Sequence, residues 1–172
     1  EAARAEAEER EAELAALAER QEALIDLKSA IETGAPYAEL LDQLGSVPDV
    51  LTANAEAGVP TLQSLQQTFP EVARVALGQS ETVPEDASAG ERLTAFLKRR
   101  TNARSLTPQD GDSADAILSR AEALLAAGDL STALSEIEAL PDAGKSAMSS
   151  WLTQATTRIE ASAAVDELSV TN

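Results

Sequence analysis

Apolar residues recur at helical spacing through the last third of the chain. From Ser113 onward, Ala114, Ile117, Leu118, Ala121, Leu124 and Leu125 stand at i, i+3, i+4, i+7, i+10 and i+11, one face of a helix turning about 100° per residue. Gly128 ends that stripe. Leu130, Ala133, Leu134, Ile137 and Leu140 carry a second, begun by Asp129 or Ser131 as N-cap and stopped by Pro141, whose ring and missing N–H forbid continuation. Met148, Trp151, Leu152, Ala155, Ile159 and Ala163 give a third, running on to Leu168. Amphipathic helices joined by short loops must fold back to bury their stripes, so residues 112–168 are expected to form a small antiparallel bundle.

Upstream the pattern changes twice. Residues 1–33 consist of helix formers with no Gly or Pro before Gly34 and Pro36, which predicts one long helix. Leu14, Leu17, Leu24 and Ile31 fit a 3-4 alternation with gaps at Gln21 and Lys28, and the same register puts Ala3, Ala7 and Arg10 on the seam. Two readings follow: a coiled coil through which copies of the chain associate, or a single charged helix steadied by i,i+4 pairs such as Glu6 with Arg10. Residues 34–78 read as short helices packing on the bundle, broken by Pro48, Pro60 and Pro70. Their stripes are Tyr37, Leu40, Leu41 and Leu44, then Val50, Leu51 and Ala55, with a Gly58-Val59-Pro60 turn ahead of Leu62 and Leu65. Thr68 with Glu71 and Pro70 has the form of a capping box opening a new helix through Val72, Val75 and Leu77. Residues 79–90 have the composition of a linker. The fold class is therefore all-α: a long N-terminal helix, short helices and a C-terminal helical bundle.

Composition narrows the chemistry. The apolar fraction is 44% with aromatics at 2%, so the core must be built from Ala and Leu in closely approaching helices. The chain has no Cys and no His, which removes disulfides, thiolate zinc sites, Ser-His-Asp triads and imidazole switches. Asp110, Asp112 and Asp115 do not make a calcium loop, because Ala114, Asp115 and Ala121 stand where such a loop needs an oxygen ligand, Gly and Glu. Asp112 or Ser113 is instead expected to cap the following helix, with Asp115 favouring its dipole. Carboxylates fall on predicted solvent faces with no base, nucleophile or phosphate cradle beside them, so no catalytic residue, metal or cofactor is assigned. The net charge of −17 argues against nucleic acid as a partner. No run of about 18 apolar residues is present, and the start in mid-helix without Met suggests a fragment whose membrane or targeting segment lies upstream.

One stretch reverses the charge. Arg92, Lys98, Arg99, Arg100 and Arg104 are five of the 13 basic residues, with no acid between them, and Leu93, Phe96 and Leu97 stand at i, i+3 and i+4. Residues 91–106 thus read as a basic amphipathic helix suited to an anionic lipid surface. Burying those three apolar side chains gains on the order of 5 kcal/mol before ordering costs, and each base near anionic lipid adds about 1 kcal/mol. That supports reversible attachment. Arg100 and Arg104 turn back toward the apolar side, so the face is clean only through Lys98 unless they snorkel. The same apolar residues could instead dock into the bundle, the bases pairing with acidic surface.

The string AEALLAAGDLSTALSEIEALP at Ala121–Pro141, followed by Trp151, Ala155, Arg158, Ile159 and Glu160, resembles the carboxy-terminal domain of the mitofilin family of membrane contact-site and cristae-organising proteins. Tyr37, Glu39 and Leu40, the Ala57-Gly58-Val59-Pro60-Thr61 turn, Leu65 and Phe69-Pro70 are similar to the segment ahead of that domain. The resemblance implies a transmembrane anchor, a coiled coil, lipid-binding helices, self-association, inner-membrane bending and partners at membrane junctions. Residues 1–33 match the coiled coil's end, and Arg92–Arg104 the lipid-binding helix. The acidic, Ala-rich, Cys-free composition favours a bacterial member, and the expected location is the bacterial inner membrane, on its periplasmic side, with a transmembrane anchor outside this fragment. The expected function is a membrane-shaping scaffold, a dimer or larger, gripping anionic lipid through Arg92, Leu93, Phe96, Leu97, Lys98, Arg99, Arg100 and Arg104. Its rival is a tetratricopeptide-like adaptor for a protein partner, for which only one repeat unit is visible.

Overall fold

The computed structural model describes residues 2–80, 90 and 108–170. Among the described residues there are eight helices and no strand: α1 (Ala2–Thr33), α2 (Ala38–Leu44), α3 (Asp49–Asn54), α4 (Leu62–Ser80), α5 (Ala114–Ala126), α6 (Leu130–Ile137), α7 (Asp142–Ala147) and α8 (Ser149–Val170). They form two compact units, one of residues 1–61 with 157–172, the other of residues 62–156. The expected segments 34–78 and 112–168 are both divided by this grouping, the first between Thr61 and Leu62 and the second within α8.

In the first unit only the second half of α1 is packed. Ala23, Leu24, Leu27, Ala30 and Ile31, at i, i+1, i+4, i+7 and i+8, are buried with Tyr37, Leu44, Leu51, Ala55 and Val59 and with Ala161, Ala164 and Val165 of α8. Residues 2–19 are exposed throughout, with Glu6 and Arg10 paired at 3.5 Å on the surface. Arg20 donates to the Leu44 carbonyl at 2.9 Å, satisfying the end of α2 where Gly45 turns the chain at φ +75. The turns after α1 and α3 meet main chain to main chain: a Cβ on Gly58 (φ +79) would stand 2.2 Å from the Gly34 carbonyl oxygen, so only glycine fits.

The second unit is built on α4, with α5, α6, α7 and the start of α8 around it. The expected break at Pro70 does not occur; α4 runs unbroken through it. Leu65, Phe69, Ala73, Ala76 and Leu77 form one buried stripe across the proline, and their packing overrides the loss of a single N–H. Thr68 is consequently inside the helix, its hydroxyl donating to the Ser64 carbonyl at 2.9 Å rather than capping, and Glu71 pairs with Arg74. The Trp151 indole N–H reaches the Leu65 carbonyl at 3.1 Å, and its ring stands edge-on to Phe69 with centroids 5.0 Å apart. Gly144 brings α7 close against the end of α4, where its Cβ would meet Ser80 Oγ at 2.1 Å.

Two of the expected caps form as read. Ser113 accepts the Ala116 N–H at 3.2 Å, and Asp129 accepts the Thr132 N–H at 3.0 Å after a turn at Gly128 with φ +89. The stripe proposed for the last helix holds only over its first half. Met148, Trp151 and Ala155 are buried, but Ile159 is half-buried and Ala163 exposed, and burial passes to Ala161, Ala164 and Val165. The buried face thus turns by about a third of a revolution along α8.

Candidate functional site

The eight residues expected to hold lipid, Arg92, Leu93, Phe96, Leu97, Lys98, Arg99, Arg100 and Arg104, lie outside the described residues. The expected oligomerisation seam is divided by the fold. Leu14 and Leu17 are 67% and 46% exposed, while Leu24 and Ile31 are 6% and 2% exposed, filled by contacts within their own chain. Leu24 and Ile31 thus pack within their own chain, and Leu14 and Leu17 are the expected seam positions that stay on the surface. Ile25, 70% exposed and eleven residues, three helical turns, beyond Leu14, is a further exposed apolar position of α1 that the 3-4 spacing does not include. Its signal was present in the sequence: Leu14, Ala18, Gln21 and Ile25 share a face at the straight-helix period.

Two arginines organise the main chain of the units. In the first, Arg158 Nη1 donates to the Ile31 carbonyl at 3.1 Å and the Pro60 carbonyl at 3.2 Å, tying α8 to the end of α1 and to the turn at Gly58. Burial pushes its guanidinium below the ordinary range, with Glu32 opposing the shift. It lies in a cleft of about 260 Å³ with Lys28, Ile31, Glu32, Ser162, Val165 and Asp166; Lys28 and Asp166 approach to 3.5 Å on the surface. In the second unit, Arg120 pairs with Glu136 at 2.8 Å and donates to the carbonyls of Gln109 and Gly111. Sequence reasoning named Arg158 only as part of the family resemblance and did not single out Arg120, because both act on carbonyls distant in sequence, a contact that leaves no local pattern. Among the described residues no group of three His, Cys, Asp or Glu side chains could hold a metal ion, and no helix is long and apolar enough to cross a membrane.

Among the described residues these arrangements are all-α, each unit holding one arginine that donates to main-chain carbonyls within that unit. The family model for mitofilin, described as a mitochondrial inner membrane protein, matches residues 46–170, and the chain belongs to the mitofilin family. It is similar to MICOS complex subunit MIC60 of Arthroderma otae, 29% identical over 97 residues that cover 56% of this chain and 14% of that protein. The mic60 subunit of Talaromyces marneffei is 28% identical over 111 residues, 64% of this chain and 17% of that protein. The chain thus corresponds to a small part of the curated relatives it matches. No solved structure matches it.

Proposed function

We propose that this chain is the carboxy-terminal part of a non-enzymatic inner-membrane scaffold, associating through α1 and gripping anionic lipid through residues 91–106. The observation that carries the reading is that the one cationic, apolar run in a chain of net charge −17 lies inside the stretch matched by the mitofilin family. Leu93, Phe96 and Leu97 enter one leaflet while Arg92, Lys98, Arg99, Arg100 and Arg104 hold head groups. Wedging in a single leaflet favours curvature, and self-association multiplies weak contacts into lasting attachment. Leu14 and Leu17, with Ile25, are the exposed apolar positions of α1 for that association. The relatives' printed name, a subunit of the MICOS complex, supports further protein partners at membrane junctions for this chain. Its acidic, Cys-free composition supports a bacterial setting, and the scaffold is placed on the periplasmic side of the inner membrane with the transmembrane anchor that the family resemblance implies.

Co-sedimentation with phosphatidylglycerol vesicles tests the reading. The wild-type chain is expected to pellet, and Phe96→Asp or combined Lys98→Glu, Arg99→Glu and Arg100→Glu to stay in solution. A wild-type chain that ignores such vesicles contradicts it and favours the helical adaptor.

A further inference from the structure

Arg120 divides its guanidinium between two structures. Nε and Nη2 meet one carboxylate oxygen of Glu136 on α6, at 2.9 and 2.8 Å. Nη1 donates to the Gln109 carbonyl at 2.9 Å and the Gly111 carbonyl at 2.8 Å. One position earlier, Ser119 Oγ accepts the Gln109 N–H at 2.9 Å and donates to the Ala116 carbonyl at 2.8 Å. Ser119 is 2% exposed and the one buried polar residue among the described residues.

Joining α5 to α6 needs only the carboxylate. Three further bonds go to the main chain of an irregular stretch, where water would ordinarily serve. The planar fork holds a fixed geometry, and both its ends are occupied here, so the stretch 109–111 is held in place against α5. Gly111, at φ +107, turns the chain just after the first of these bonds. Gln109 stands five residues after Arg104, the last base of the cationic run.

We infer that Ser119 and Arg120 form an anchor that fixes where the polypeptide enters α5, so that the basic segment grips an anionic lipid surface from a fixed base; this rests on the lipid reading above. Arg120 is a positioning residue in this scheme. It touches no lipid, but passes the pull of the basic segment directly into α5 and α6.

Amide hydrogen exchange on the whole chain, free and bound to phosphatidylglycerol vesicles, tests this. In the wild type the Gln109 amide is expected to exchange slowly in both states. The swap of Arg120→Glu with Glu136→Arg restores an ion pair between α5 and α6 but leaves no donor at position 120 for the two carbonyls. It should speed exchange at Gln109 by about tenfold or more, keep the thermal midpoint near wild type and leave vesicle binding intact. Ser119→Ala, which spares the ion pair, should speed the same amide if the swapped chain does not fold. Unchanged exchange at Gln109 in these variants, or loss of wild-type protection when vesicles are bound, overturns the anchor. If the wild type does not bind vesicles the lipid reading fails, while the comparison in the free state still decides whether the anchor exists.

Discussion

Gly58 and Tyr37 show how differently single residues are constrained in the first unit. At Gly58 both the backbone angle, φ +79, and the Gly34 carbonyl oxygen 2.2 Å from any Cβ exclude a side chain. Gly58→Ala should cost more than about 2 kcal/mol, from left-handed strain plus a clash that only main-chain movement relieves. Gly45→Ala, at φ +75 in open space, carries backbone strain of about 1–3 kcal/mol without the clash and should cost less than Gly58→Ala. Urea unfolding of the two variants side by side measures the difference. Tyr37 is 2% exposed and its hydroxyl has no hydrogen-bond partner among the described residues, so removing it forfeits no bond seen there. Tyr37→Phe should be neutral or stabilising by up to about 1 kcal/mol, and a loss of the same size would reveal a bond to the hydroxyl. Burial also raises the Tyr37 pKa above its ordinary 10.0. The folded chain then holds this proton where the unfolded chain releases it, so this contribution is intact below pH 10.0 and falls as pH rises past it. Tyr37→Phe should lack that part of the alkaline decline in thermal midpoint.

The helices differ in how much of them could be read from residue order. Caps, glycine stops and the stripes of α5 and α6 are local, so Ser113, Asp129 and Gly128 act as their spacing suggests. In α4 the proline was read as a boundary because its own cost, about 3 kcal/mol inside a helix, is a local quantity. The burial of Leu65 and Phe69 that outweighs it depends on helices far along the chain. Trp151→Phe should therefore cost about 0.5–1.5 kcal/mol through the lost indole bond, since the Thr68 hydroxyl still reaches the Leu65 carbonyl at 3.3 Å, read by loss of helical circular dichroism on denaturation. In α1 a heptad template joined residues from a solvent face and a core face, since sequence alone does not say which stripe the fold will take. Leu14→Ser with Leu17→Ser and Ile25→Ser should lower the sedimentation mass while sparing the thermal midpoint. Leu27→Ala, at a site with no exposure, should instead cost about 2–5 kcal/mol of stability. An unchanged mass in the triple variant would exclude this face of α1 from self-association.

For the whole molecule the charge distribution sets the terms of any membrane contact. Five of the 13 basic residues fall between Arg92 and Arg104, leaving eight elsewhere against all 30 acidic ones. An anionic bilayer repels most of this chain and attracts one stretch of it, so the proposed attachment is expected to be local and sensitive to salt, with a Debye length of about 8–10 Å. The family match, the exposed end of α1 and the anchored entry into α5 all fit a body that stays off the surface and holds it through one short segment. The most direct measurement is the partition of the wild-type chain onto vesicles as their phosphatidylglycerol content is raised at fixed salt, then as salt is raised at fixed composition. Partition should climb steeply with anionic lipid, and high salt should abolish most of it. Partition independent of lipid charge, or absent at every composition, would contradict the account.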